Sequence, residues 1–340
     1  MKFIMEIITD YLNTVADQFI DPKKRVFGPY IFISVFIAFG WFMFFRKYSL
    51  RKAFKKIFDR NIFLSTSSKS DYKVFLINQL IMILISPLLI TQLTIATALY
   101  FYFHTIDWIS VGMFKNTYPL FVVILFTITQ FTLDDFSKFF IHRFMHKWPI
   151  LWSIHKVHHS ATTLTPMTVF RTHPLEGIIF SLRSSTTQAI SISSFIFLFG
   201  DTVDLYTILG VNIFVFIFNI LGSNLRHSHV GIRYWKWLER IIISPAQHQL
   251  HHSIAKEHHD KNFGAALACW DWLFGSLHHS IEFDDLELGI EKNQKETSHS
   301  LRHLYLNPFV EIKVFILKKI IKTKNKLFNQ FFKRRLINDN

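Results

Sequence analysis

The chain has one cysteine, Cys269, in 340 residues, so no internal disulfide can form and thiolate metal clusters are excluded. Any metal it holds must be bound through nitrogen or oxygen. Acid is also scarce: 24 Asp and Glu stand against 38 Lys and Arg, for a formal net charge of +14 and a pI of about 9.7. Such a balance suits nucleic acid or an anionic membrane surface. No GxGxxG follows a strand pattern, which removes an internal flavin or nicotinamide fold. No HPGG-like word of a fused cytochrome b5 domain is present either. The first twenty residues lack an unbroken apolar stretch, because Glu6, Asp10 and Asp17 interrupt them, so they do not read as a cleaved signal peptide.

What the chain does have is apolar surface. Half of its residues are hydrophobic and 39 are phenylalanine, and mean hydropathy is positive. The membrane is therefore the expected partner, and nucleic acid is not. Residues 1–25 read as an amphipathic segment lying on the surface, with Ile4, Ile7, Ile8, Tyr11 and Leu12 near helical spacing. Residues 26–45 make the first run long enough for a hydrocarbon core of roughly 30 Å. Nine Lys or Arg against two Asp between Arg46 and Lys73 mark the next loop as cytoplasmic. Residues 74–103 read as one helix kinked at Pro87, and residues 119–141 as a third span that brings His142 back inside. Residues 177–200 and 203–222 read as an up-and-back hairpin turning at Asp201 and Thr202. The expected architecture is all-α and polytopic, with about four to five spans within residues 26–222. A cytoplasmic helical cap follows over 223–306, and then a basic amphipathic tail on the inner leaflet over 307–340. Residues 1–25 would lie outside.

Three words interrupt this greasy background: HRFMH at 142–146, HKVHH at 155–159 and HQLHH at 248–252. On a helix, residues i, i+3 and i+4 share a face. His142 and His146 point together, as do His155, His158 and His159, and His248, His251 and His252. Eight imidazoles converge if these helices pack, and one zinc takes about four ligands, so the count implies two metals. Imidazole suits zinc, copper, iron and nickel alike. A hydrolytic HExxH site needs glutamate after the first histidine, where this chain has Arg143, Lys156 and Gln249. Bis-histidine haem needs one imidazole from each of two helices, not three per turn. A histidine-rich store would show a low-complexity tract, whereas these words are widely separated. For His104, His299 and His303 the structural or surface reading is preferred.

These words, with LWSIHKVHHS, RTHPLE, NLRHSHV, SPAQHQLHHS and DKNFGAALACWDWLFGSL, resemble the fatty acid hydroxylase and sterol desaturase superfamily, especially its bacterial and alkylglycerol-monooxygenase-like branches. The resemblance covers roughly residues 130–277. It implies an integral membrane enzyme whose two iron ions are bound by histidine, with zinc as the substitute a purified sample could carry. Carried over position by position, it makes His142, His146, His155, His158, His159, His248, His251 and His252 metal ligands. His227 and His229 match further family histidines, with His227 preferred. His173 matches a histidine found in one branch, and its alternatives are helix capping or substrate contact. His258, His259, His278 and His279 fall outside the boxes, with surface or supporting roles. Neutral imidazoles leave the metal charge uncompensated, so outer carboxylates are expected to orient the rings. Asp134, Asp135 and Asp271 are the candidates, the first two having pairing with Lys138 or Arg143 as the alternative. The implied reaction is dioxygen-dependent hydroxylation or desaturation of a fatty acyl chain, sterol or ether lipid. A separate ferredoxin, cytochrome or reductase would supply electrons. The rival reading from another class is a non-catalytic membrane metal-binding or transport protein.

Overall fold

A computed structural model describes residues 2–281, 286–290 and 299–338. The chain is mostly helical. We label α1 Lys2–Ile20, α2 Gly28–Gly40, α3 Thr66–Ile85, α4 Gln92–Phe103, α5 Pro119–Lys147, α6 Pro149–His159, α7 Pro174–Phe199, α8 Ile213–Ile220, α9 Pro245–His251, α10 Cys269–Leu273 and α11 Leu301–Asn338. A further helix at Leu50–Ile57, shorter helical turns, loops and one two-stranded ribbon make up the rest of the described residues.

Among the described residues, three stretches are long and apolar enough to cross a membrane: Gly28–Phe45, Thr66–Phe103 and Pro119–Lys147. Thr66–Phe103 breaks at Ser86–Leu88, where Pro87 removes a helical donor and Thr91 caps the restart by accepting from the Thr94 amide. Leu76, Leu80, Leu84 and Leu88 stay exposed at four-residue spacing, an apolar stripe suited to lipid. Helix α7 packs along this kinked rod in the same direction. Asn78 donates to the Thr172 carbonyl near its start, and Tyr100 and Phe103 meet Phe197 edge-on near its end. Helix α5 runs the opposite way, joined to α7 by Arg183 on Asp134 at 2.8 Å and by Phe126 against Phe195.

Two expectations are corrected. The second limb of the 177–222 hairpin is not a span. Its chain forms a ribbon of Thr207–Ile208 with Val211–Asn212, and α8 has only eight residues, about 12 Å of helix. The cause is local: Leu209 and Gly210 take positive φ, and α5 holds the ribbon through Thr127, which receives the Tyr206 amide and the Asn212 side chain. Without that limb the expected spans number four, the lower end of the expected range, and three stretches among the described residues qualify by length and composition. Nor do residues 1–25 lie apart from the histidine words. Arg25, just before α2, donates to the Ser223 carbonyl and to the His227 ring, while Ala38 and Phe42 later in the same run pack on Leu225, Val230 and Ile232. Gly28–Phe45 therefore begins and ends against one segment of the cap instead of leading away from it.

The cation-rich loop sits on that same end of the molecule. Ser65 and Ser67 hydrogen-bond Thr163 and Thr162, just past α6. Beneath them the Asp71–Arg171 pair is wholly buried at 2.9 Å, and Arg171 also donates to the Val157 carbonyl and Ser160, clamping the end of α6 onto α3. Asp71→Ala leaves that guanidinium buried without a counter-charge, a loss of about 3–5 kcal/mol. The expected result is an early thermal transition in detergent, and an unchanged melting curve would refute the clamp.

Helix α11 opens by packing Leu304 on Val74 and Val157, and Glu311 pairs with Lys156. Beyond this, Ile316, Ile320 and Ile321 are exposed between lysines. The side chains of Leu327, Phe328, Phe331 and Phe332, part of the expected amphipathic face, lie outside the described residues.

Candidate metal centre

Two prolines set the geometry of the first two words. Trp148 is extended, as a residue preceding proline prefers, and Pro149 occupies the first turn of α6. Helix α5 therefore ends and α6 starts at a sharp corner, so His142 and His146 face His155 and His159. The third word sits on α9, whose start is fixed by Pro245 and by a reciprocal cap between Ser244 and Gln247.

The imidazoles fall into two groups, each with one nitrogen per ring within 4.8 Å of the others: His142, His146, His155, His159 and His251; and His158, His227, His248 and His252. Helical spacing explains the partition. Each i, i+4 pair stays together, namely 142 with 146, 155 with 159, and 248 with 252. The odd member of α6, His158, crosses to the second group, and the odd member of α9, His251, crosses to the first. The groups adjoin, with the His159 and His252 rings stacked at 4.6 Å.

Hydrogen bonding on the outer side fixes which nitrogens are bare. His142 Nδ1 stands 2.8 Å from the Phe263 carbonyl and His251 Nδ1 stands 2.7 Å from the Lys261 carbonyl. A carbonyl only accepts, so both Nδ1 atoms carry the proton. The neutral rings then present lone pairs at Nε2, yet these two atoms lie 3.0 Å apart. Two lone pairs at that distance repel unless a cation stands beside them. A proton is a poor candidate, since burial holds the His251 imidazolium down to about 3. Burial likewise lowers His158, His159, His248 and His252 well below the usual histidine range. His146 Nε2 and both nitrogens of His252 are buried without a protein partner, and the Nε2 atoms of His158 and His248 lie 3.1 and 3.0 Å from His227 Nε2. Neutral, convergent, unsatisfied nitrogens are what a transition metal requires, and the donor set fits two such ions.

The carboxylates act at different distances. Glu176, in the first turn of α7, accepts from His155 Nδ1 at 2.9 Å with both side chains buried. It was not among the expected residues. Its one sequence signal is its place in RTHPLE, three residues after the helix-capping His173. Asp271 accepts from the Phe263 and Gly264 amides and from Ser276, so it orients the carbonyl that holds His142. Asp135 accepts from the Ala266 and Leu267 amides and the Trp270 indole, which ties the 263–270 loop to α5. Asp134 pairs with Lys138 and Arg183 and touches no histidine.

Other expected residues stand apart. His229 contacts the Lys56 carbonyl at 2.7 Å and the Phe63 ring, outside both groups. His173 caps α7 by accepting from the Leu175 amide and also meets the Tyr305 carbonyl. His299 lies on Arg171, His104 on the Tyr100 carbonyl, and His279 on Glu239. The His258 and His278 rings lie 5.3 Å apart. His259 lines a cavity of about 290 Å³ with Trp152, Ser253 and Asp260, which opens onto His146, His159 and His251. Arg25 was not expected here. Arginine only donates, so its contact of 3.1 Å makes His227 Nδ1 an acceptor; the neutral ring then carries its proton on Nε2, toward His158 and His248, and a metal bound there would displace that proton.

Residues 127–276 match the family model described as fatty acid hydroxylase. Among curated proteins, the Delta(7)-sterol 5(6)-desaturase ERG3B of Gibberella zeae is 30% identical over 126 residues, 37% of this chain and 34% of that protein. The alkylglycerol monooxygenase of Danio rerio is 31% identical over 145 residues, 42% of this chain and 28% of that one. The ornithine lipid hydroxylase OlsE of Rhizobium tropici is 26% identical over 158 residues, 46% of this chain and 43% of that one. The chain thus spans less than half the length of each of these relatives. No solved structure matches. Residues 127–276, the stretch that carries all nine grouped histidines, belong to the fatty acid hydroxylase superfamily.

Proposed function

We propose that the chain is a membrane enzyme that oxidises an unactivated C–H bond of a lipid, an acyl chain, sterol or ether lipid, with dioxygen. The observation that carries this reading is the pair of buried imidazole groups whose bare nitrogens face one another. Two iron ions held by them would supply reductive dioxygen activation and C–H oxidation. The chain's own residues do the rest. The Phe263 and Lys261 carbonyls and the Glu176 carboxylate keep the Nδ1 protons of His142, His251 and His155 in place, so that their Nε2 atoms stay available. The 290 Å³ cavity exposes one edge of the five-histidine group. The relatives' printed activities, sterol desaturation, alkylglycerol monooxygenation and ornithine lipid hydroxylation, share a lipid substrate and support that class. Electrons come from a separate ferredoxin, cytochrome or reductase.

The site is placed on the cytoplasmic side. Support comes from the cation-rich loop, whose Lys56, Ser65 and Ser67 lie against His229 and the chain just after His159.

The test compares lipid extracts of cells with and without the gene by mass spectrometry, alongside metal analysis of the purified chain. The expected result is about two irons per chain and lipid species that gain one oxygen, for hydroxylation, or lose two hydrogens, for desaturation. Redox-inert metal, no dioxygen consumption and transport in vesicles would replace this reading with the non-catalytic one.

A further inference from the structure

The two imidazole groups are held from behind by opposite kinds of atom. In the five-histidine group, His142, His155 and His251 each place an outer nitrogen against an acceptor: the Phe263 carbonyl, Glu176 and the Lys261 carbonyl. Asp260 lies 3.9 Å from His146 Nδ1 on the cavity side. In the four-histidine group the one acceptor behind a ring among the described residues is the Arg171 backbone, which faces His158. The outer nitrogens of His248 and His252 are unpartnered, and His227 meets a donor, Arg25. Arg226, next to His227, is buried with its guanidinium on the Ala265 and Ser223 carbonyls. Neither arginine has an ion-pair partner among the described residues.

An acceptor behind a ligating imidazole raises its basicity and locks its orientation, and losing one costs about 10- to 100-fold in metal affinity. A guanidinium behind the ring does the reverse, adding positive charge beside an incoming dication. We propose that the two sites are unequal by construction. The five-histidine site, backed by Glu176, binds divalent metal first and more tightly. The four-histidine site, backed by Arg25 and Arg226, fills second and empties first. Arg25 and Glu176 are thus positioning residues of opposite sign, and Arg25 comes from outside residues 127–276. The inference rests on the metal-centre reading and adds an order of loading to it.

The experiment strips the full-length chain in detergent with a chelator and titrates it with Co²⁺ alone, counting bound metal by equilibrium dialysis. The expected result is two steps separated by at least about 10-fold. His159→Ala should remove the tighter step and His248→Ala the weaker. Glu176→Gln should weaken the tight step by about 10- to 100-fold and leave the weak one in place. Arg25→Gln should strengthen the weak step. Equal affinities, or loss of the tighter step in His248→Ala, would overturn the order while leaving a two-metal centre. No bound cobalt at either site would overturn the metal centre itself. Should Glu176→Gln not fold, the unaltered chain with the two histidine variants decides the order alone.

Discussion

His159→Ala should abolish lipid oxidation and lower bound iron from about two to about one per chain. His159 belongs to the five-histidine group and stands 3.2 Å from His155, nitrogen to nitrogen. Removing it opens a position and leaves a void where a buried ring packed on His146, His251 and His252. The four-histidine group keeps all its members, so half of the metal should survive while turnover does not, because both halves are needed for one reaction. His155→Ala and His251→Ala should behave alike. His158→Ala, one residue away, should also abolish turnover but spare the five-histidine site. Two comparisons make the grouping testable. His303→Ala should be nearly silent, and His229→Ala should keep its iron, since that ring lies on the Lys56 carbonyl. Iron determination with activity on the same preparations checks all of these. Full activity in His159→Ala, or an empty centre in His229→Ala, would refute the assignment drawn from the geometry.

The partition of the histidines is legible in sequence only in part. Spacing of three and four tells which rings share a helical face, and it does place 142 with 146 and 248 with 252. It does not tell that His158 and His251 leave their neighbours for the opposite group, because that depends on how α6 crosses α9. Glu176 is harder still. It lies 21 residues from the ring it holds, and it meets His155 only because α7 starts beside α6. The carbonyls of Lys261 and Phe263 have no residue-type signature, since any side chain can sit on a backbone acceptor. Asp135 and Asp271 were legible as acids placed where acid is costly. Their partners were not: both serve the loop around Phe263 instead of a ring. Asp134 and Asp135 were not distinguishable by spacing, since Lys138 lies four residues from one and three from the other; the structure pairs it with Asp134.

Span prediction shows the same limit. Hydropathy finds the kinked rod and α5 because a continuous apolar run is a local property. It miscounts residues 203–222, where apolar content is high but Leu209, Gly210 and Asn212 favour a turn that α5 then captures. It also assigns residues 1–25 to the far side by counting crossings, whereas Arg25 touches His227. A cysteine introduced at Asn13 in a Cys269→Ser background should therefore be labelled from the same side as one at Asn61, an exposed position of the cation-rich loop.

Gly264→Ala should cripple the centre without touching a ligand. A Cβ at this position would stand 2.5 Å from the Leu267 carbonyl oxygen and 3.0 Å from Asp271 Oδ2. The first is backbone, so neither atom is the free end of a flexible chain and the loop itself must move. Any such movement breaks the pairing of the Phe263 and Gly264 amides with the buried Asp271 carboxylate, and buried polar groups left unpaired cost about 1–3 kcal/mol each. It also carries the Phe263 carbonyl away from His142 Nδ1, freeing that ring to turn. The expected outcome is a destabilised cap and at least about a 10-fold loss of metal affinity at the five-histidine site, the size of effect seen when an outer partner of a ligand is lost. Gly177→Ala is the control: it lies within α7, the nearest atom to its Cβ is Met82 Sδ at 3.6 Å, and alanine there should be neutral or stabilising by up to about 1 kcal/mol. Thermal unfolding and cobalt titration of the two variants side by side measure both effects. Unchanged cobalt affinity in a folded Gly264→Ala chain would mean that the Phe263 carbonyl does not hold His142 in the working centre.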